Sequence, residues 1–354
     1  MTGRQIVDIA KIAATYVGTV VGAGFASGQE LLQFFVSYGT VGFLGIAVTG
    51  LLFAWLGTQL LSLGSRLRAT GYHEILYYLC GERVARILDN LIAFFLFGGL
   101  VIMLAGVGTV FRDFLNMPYN SGLAIISIAI IATVLFGVKG IASANLIVTP
   151  FLGIFTIMIG INSLSHHGFD VSLFYFPPQP PLQPAPHWVL ACLLYVSYNL
   201  VLGATVLGPL GSQIASPQVR RLGGLIGGII LAVLAAFIGM VIRIHYPDVL
   251  NYEVPMLYVS SIQQSWNHYA YAFTVLKAMY STALASLFGC TVKLKAATGL
   301  SFWLCIIIVM TASVTCSQFG FANLVGALYP LFGYISLYFV FKLSWHALRY
   351  RRWH

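Results

Sequence analysis

The sequence predicts an all-α integral membrane protein of ten transmembrane helices, arranged as two inverted five-helix repeats, and three observations carry that prediction. Only 8% of the 354 residues are charged and 59% are hydrophobic, whereas soluble domains carry about 25% charged residues. The apolar residues gather into stretches of membrane-crossing length along the whole chain. Fragments also recur at offsets of about 180 residues, each in the same part of its half: Ala144-Asn-Leu-Ile147 against Ala322-Asn-Leu-Val325, and Pro150-Phe-Leu-Gly153 against Pro330-Leu-Phe-Gly333.

A bilayer core of about 30 Å takes roughly 20 apolar residues as a helix. Scanning at that length places spans at 7–36, 40–64, 87–111, 121–138, 141–164, 188–214, 221–244, 266–290, 299–316 and 319–343. The connectors 37–39 and 317–318 are short enough to force antiparallel neighbours. The longer ones at 65–86 and 245–265 are each expected to hold a short amphipathic helix, the fragment Ile75-Leu76-Tyr77 of the first echoing Met256-Leu257-Tyr258 of the second. The expected domains are a first repeat over 1–164, an extracytoplasmic linker over 165–187 that contains the proline-rich stretch Pro177–Pro186, a second repeat over 188–343, and a basic cytoplasmic tail over 344–354. The first apolar run is too long, and too interrupted by Gly28-Gln29-Glu30, to be a cleaved signal peptide, so it is expected to remain as a helix.

Orientation follows from the basic residues. With the N-terminus inside, fifteen of the eighteen Lys and Arg fall in cytoplasmic segments, Arg112 and Arg243 fall outside, and Lys277 lies within span eight. The net charge of +9 thus marks one membrane face and not a nucleic-acid partner. The expected location is the cytoplasmic membrane, with both termini cytoplasmic. The five cysteines include no C-x-x-C pair, so neither disulfide nor zinc is expected, and the eight histidines show no ligand spacing.

An odd number of spans per repeat inserts the second half upside down relative to the first, the architecture of secondary transporters whose site lies at the midplane between discontinuous helices. The first span carries the matching defect. Gly18, Gly22, Gly24 and Gly28 weaken it, since each costs roughly 1 kcal/mol against Ala in a helix interior, and Ser27-Gly28-Gln29-Glu30 adds polar groups at membrane depth. In lipid a break is tolerated only where the freed backbone lines a cavity or is buried in protein. Val20, Gly22, Ala23, Gly24 and Phe25 are therefore candidate substrate-binding residues, with the outer half-helix from Phe25 pointing its N-terminal dipole, roughly half a positive charge, at a carboxylate. Small-residue packing through Gly18-x-x-x-Gly22 and Gly24-x-x-x-Gly28 is the competing reading. The repeat predicts that span six is broken in the same place, and Tyr198, Asn199, Val201, Gly203 and Ala204 are the candidates there, ahead of Gly208-Pro209. Gly223-Gly224 and Gly227-Gly228 on span seven read as close packing.

The run Ala14-Thr-Tyr-Val-Gly-Thr-Val-Val-Gly-Ala-Gly-Phe-Ala-Ser-Gly-Gln-Glu30 resembles the signature of the YkvI-like membrane proteins, a family similar to the amino acid, polyamine and cation transporter superfamily with the LeuT fold. The resemblance covers essentially the full length. It implies that Tyr198 sits where an aromatic lid closes over substrate. It further implies a sodium site formed by Ser281 and Thr282 of span eight with carbonyls of Gly18 and Val21.

Lys277 stands one turn from Ser281 and Thr282. An ammonium at the bilayer centre costs about 2.5–3.5 kcal/mol on insertion scales, and one about 4 Å from sodium would be repelled by about 4 kcal/mol at an effective dielectric of 20. Lys277 is therefore expected to replace sodium or to carry the coupling proton; snorkelling or a structural salt bridge is the alternative. Glu30 is its candidate partner, or else a residue of the outer vestibule. Arg112, Asp113 and Arg243 are candidates for an outer gate.

The function expected is alternating-access transport of a small organic solute, amino-acid-like, coupled to protons. A sodium symporter of the same fold, or a ligand sensor keeping that fold, is the alternative. No cofactor is expected beyond H⁺ or Na⁺. An enzyme is not expected, because no Ser/His/Asp set, His-Glu-x-x-His or pair of intramembrane aspartates is present, and no ring of charges suggests a channel.

Overall fold

The computed structural model describes residues 3–135, 153–166, 183–263 and 266–349, and these are helical almost throughout. The first apolar run forms three helices in sequence, α1 (Gly3–Val20), α2 (Ala23–Ser27) and α3 (Gln29–Phe34). There follow α4 (Thr40–Leu67), α5 (His73–Phe114), α6 (Tyr119–Leu135) and a helix α7 over 153–166. The second half holds α8 (Trp188–Gln213), α9 (Pro217–Ile244), α10 (Pro255–Ile262), α11 (Asn267–Thr298), α12 (Phe302–Ser317) and α13 (Phe321–Arg349).

Six of these, α4, α5, α8, α9, α11 and α13, are long and apolar enough to cross a membrane, and α6 and α12 are shorter apolar helices. Their ends follow ordinary capping chemistry. Ser216 accepts from Val219 N at 3.4 Å with Pro217 in the first turn of α9, and Ser301 accepts from Leu304 N at 3.3 Å, each satisfying an otherwise orphaned donor. Gly299, at φ 72°, closes α11 in the left-handed conformation that glycine adopts without penalty.

Both long connectors hold the short helices expected of them. The first is the start of α5, set off from the apolar remainder by Gly81 at φ 74°, ψ 164°. The second is α10. The matched fragments at 144–147 and 150–153, the linker at 167–182 and the tail at 350–354 lie wholly or mostly outside the described residues.

One expectation is corrected here. Span six was predicted to break like span one, yet α8 runs unbroken from Trp188 to Gln213 with Pro209 inside it. Its glycines at 208 and 211 are spent on packing. A Cβ at Gly211 would fall 2.0 Å from the Leu61 carbonyl oxygen of α4, and one at Gly64 of α4 would fall 2.1 Å from the Gly208 carbonyl oxygen. These are backbone-to-backbone approaches of the kind that small residues permit between membrane helices. Close packing, expected for Gly223-Gly224 and Gly227-Gly228, is what α9 shows: Gly228 meets the backbone of Ala54, and Gly223 and Gly227 receive Ile12 and Tyr16 of α1.

Candidate functional site

The break predicted in the first span is present, and two features of its sequence shape it. Beta-branched Val20 and Val21 precede Gly22, which is extended at φ −99°, ψ −173° and caps α2. Five residues on, Gly28 adopts φ 81°, which separates α2 from α3. Ser27 stabilises this second turn, donating to the Gly24 carbonyl at 2.6 Å and accepting from Gln29 N at 3.2 Å. The pieces are too short for the dipole assigned to them. Five and six residues align few peptide units, so the expected half charge at the start of α2 does not develop.

The bend at Gly28 turns the Glu30 side chain back onto Gly24. A Cβ on Gly24 would lie 2.0 Å from Glu30 Oε1 and 3.1 Å from Tyr329 Oη, so glycine makes the space that the carboxylate fills. Glu30 is only 5% exposed. Tyr198 Oη of α8 donates to its Oε2 at 2.8 Å, and the hydroxyls of Tyr195, also on α8, and Tyr329 of α13 face the same group. Tyr195 Oη is buried and meets no partner at hydrogen-bonding geometry. The rings close round the carboxylate: Tyr198 and Tyr329 are stacked at 5.0 Å, Tyr195 stands edge-on to Tyr198 at 5.5 Å, and Phe34 lies 5.3 Å from Tyr195. Among the described residues no Lys, Arg or His pairs with Glu30. An uncompensated buried charge costs several kcal/mol, so this carboxylate needs a proton or a cationic guest.

The other sequence-predicted residues divide. Val20, Val21, Ala23, Gly24, Phe25, Tyr198, Asn199, Val201, Gly203 and Ala204 are all buried, and Gly22 is half-buried. Gly203 faces Thr19 of α1, whose Cγ2 would be 4.0 Å from an added Cβ, so the two matched segments do meet. Asn199 is turned back on its own helix, donating to the Tyr195 carbonyl at 2.9 Å. Tyr198 holds the carboxylate directly, a contact more specific than the lid expected of it.

Lys277 does not join the cluster. It is exposed, on the stripe of α11 that also exposes Phe273, Tyr269 and Trp266. Ser281 is buried and donates to the Ala278 carbonyl of its own turn at 3.1 Å, while Thr282 and Gly18 are half-buried. What α11 brings to the broken helix is Tyr271, whose buried hydroxyl donates to the Ala26 carbonyl at 2.6 Å.

A cavity of about 340 Å³ opens beside α3 on the side of the 245–263 connector, lined by Gln29, Gln33, Glu253, Asn323 and Gly326 among others. Gln33 Nε2 donates to the Ala322 carbonyl at 2.9 Å, and the Oε1 atoms of Gln29 and Gln33 are buried without partners. At its rim Arg112 pairs with Asp113 at 2.6 Å and with Glu253 at 3.1 Å, and Glu253 also accepts from the N–H groups of Phe321 and Ala322 at the start of α13. The gate thus keeps Arg112 and Asp113 from the expected trio, with Glu253 as the residue that binds them to α13. At the other end of α5, Lys293 pairs with Asp89 at 2.8 Å, to which Tyr72 donates at 2.6 Å.

Sequence reasoning missed Tyr195, Tyr329 and Glu253. Tyr195 and Tyr198 are three apart and so share a helix face, a signal that was available. Tyr329 comes from a distant helix that nothing local connects with Glu30.

This arrangement, a helix broken beside a buried carboxylate and packed against α8 and α13, defines an integral membrane protein of the LeuT transporter fold. Solved structures support that class. The chain is similar to Mhp1 in its inward-facing conformation (TM-score 0.59, 14% identity, 96% of this chain and 77% of that one). It is similar to the Eremococcus coleocola manganese transporter (0.62, 11%, 96% and 78%) and to MhsT in complex with L-phenylalanine (0.61, 18%, 92% and 87%). The particular family is YkvI, to which the chain belongs: it is 33% identical over 336 residues to the membrane protein YkvI of Bacillus subtilis (strain 168), covering 93% of each chain. YyaD of the same organism is 26% identical over 324 residues, covering 91% of this chain and 92% of its own. No family model matches the chain.

Proposed function

We propose that the chain is a secondary transporter that moves a small organic, amino-acid-like solute by alternating access, with ten spans in the 5+5 inverted arrangement and both termini in the cytoplasm of the cell whose membrane holds it. The observation that carries this reading is the Glu30 carboxylate, buried against Gly24 at the break in the first span and held by Tyr198. An organic solute suits the site better than a metal ion, because among the described residues no three His, Cys, Asp or Glu gather as ligands.

In this reading the broken span and α8 bind the solute, and the cavity beside Gln29 and Gln33 is the extracellular vestibule. The Arg112–Glu253 pair closes the mouth by tying α5 and the connector to α13. The Asp89–Lys293–Tyr72 set is its cytoplasmic counterpart. The coupling ion is a proton, and Glu30 takes the role that the sequence had assigned to Lys277, because only Glu30 is buried at the break. Uptake into proteoliposomes under imposed proton or sodium gradients tests this. Proton-driven uptake that persists in wild type and fails in Glu30→Gln supports it; sodium-driven uptake insensitive to pH contradicts it.

A further inference from the structure

We propose that Glu30 is one site for which a proton and the cationic nitrogen of the solute compete, so that the protein exchanges an ammonium-bearing solute for a proton and does not carry the two together. This rests on the transporter reading above and goes beyond it by naming the charged group of the solute and the direction of the proton. The titratable groups that face Glu30 are Tyr195 and Tyr198 from α8 and Tyr329 from α13, while α2 contributes Gly24. The Tyr198 hydroxyl satisfies one carboxylate oxygen without cancelling the charge. A charge in apolar surroundings is tolerated when it is paired, and a lone carboxylate pairs with one positive charge. Loaded with both proton and ammonium, the site is net positive; loaded with neither, it is a bare anion. The two neutral forms are therefore the ones that cross. The proton leaves Glu30 for water on the side where the ammonium enters, and a proton from the opposite side returns to Glu30 when the ammonium departs.

Independent features fit an ammonium and not a carboxylate. Tyr195 Oη is buried and unpartnered, a free acceptor for an N–H. The rings of Phe34, Tyr198 and Tyr329 pack against one another around the residues that hold the carboxylate, and aromatic rings attract cations. In the cavity beside α3, Gln29 and Gln33 present buried, unpartnered amide oxygens, and Arg112, which pairs with the cavity residue Glu253, is already engaged by Asp113 and Glu253.

The test is proton release from the purified full-length protein in weakly buffered detergent solution between pH 5.5 and 8. The probes are tetramethylammonium, n-butylammonium, leucine and butyrate. The expected result is that an ammonium-bearing probe binds with release of up to one proton per chain. Its apparent affinity should weaken by about tenfold per pH unit where Glu30 is protonated, and butyrate should release nothing. Glu30→Gln should abolish the release, and Tyr195→Phe, which keeps the charge, should weaken binding while release persists. Binding without release, proton uptake on binding, no binding by any ammonium-bearing probe, or wild-type release from a folded Glu30→Gln protein overturns the proposal. Counterflow of the bound probe in proteoliposomes separates the two readings. Release without counterflow keeps the shared site and sinks transport, whereas solute and proton moving in the same direction keeps transport and sinks exchange.

Discussion

The first span and α8 both carry several glycines, Gly18, Gly22, Gly24 and Gly28 in one and Gly203, Gly208 and Gly211 in the other, yet one is broken twice and the other is a continuous 26-residue helix. The difference lies in what approaches each glycine. On α8, Gly211 meets the Leu61 backbone of α4 and Gly208 receives the Ile75 side chain of α5, so their lack of a side chain lets neighbouring helices pack closely. In the first span, Gly24 meets a carboxylate and a phenol, and Gly28 takes a left-handed φ of 81°. Glycine content alone therefore does not make a site. A polar side chain that folds back onto the glycine does.

Gly24→Ala breaks the comparison most severely. The new Cβ would overlap Glu30 Oε1 and displace the carboxylate from Tyr198, and solute binding is expected to fall below detection in a protein that still inserts, as equilibrium binding on the purified variant would show. Gly211→Ala has the opposite signature. Overpacking against the Leu61 carbonyl should destabilise by about 1–3 kcal/mol, read as a lower Tm, with the affinity of the remaining folded protein unchanged. Tyr198→Phe removes the 2.8 Å hydrogen bond to the carboxylate, and bonds to charged groups are worth about 1.5–3 kcal/mol. It should shift the pH profile of binding while leaving the fold intact.

Gly22→Ala sharpens the comparison from the other side. Nothing lies within 4 Å of its Cβ position, and its extended backbone suits alanine. The change should cost under about 1 kcal/mol, the scale of helix propensity, and transport should persist. Lys277→Ala is expected to have the smallest effect of all on binding, since that side chain is exposed on α11 away from the cluster.

The fold was legible because the signals that specify it are long. Hydropathy over some 20 residues survives local noise, and short helices stand in both long connectors where length put them. The break at Gly22 was legible too, as two glycines one residue apart after two β-branched valines. The carboxylate was harder. On a straight helix Glu30 lies about two turns beyond Gly24, and only the left-handed Gly28 brings it back. Lys277 misled for a related reason: an ammonium in an apolar run invites an interior role, and the four-residue spacing sets Lys277 as near to Ser281 as to Phe273, yet Lys277 is exposed with Phe273 while Ser281 is buried. Tyr329 and Glu253 had no local signal, being joined to the site by tertiary packing alone.

The central claim is that the solute is held at Glu30 beside the broken helix. Solute counterflow in proteoliposomes, run side by side on Glu30→Gln and Lys277→Ala, tests it most directly. The account predicts that Glu30→Gln abolishes counterflow and Lys277→Ala retains it at close to the wild-type rate; retention by Glu30→Gln together with loss in Lys277→Ala would contradict it.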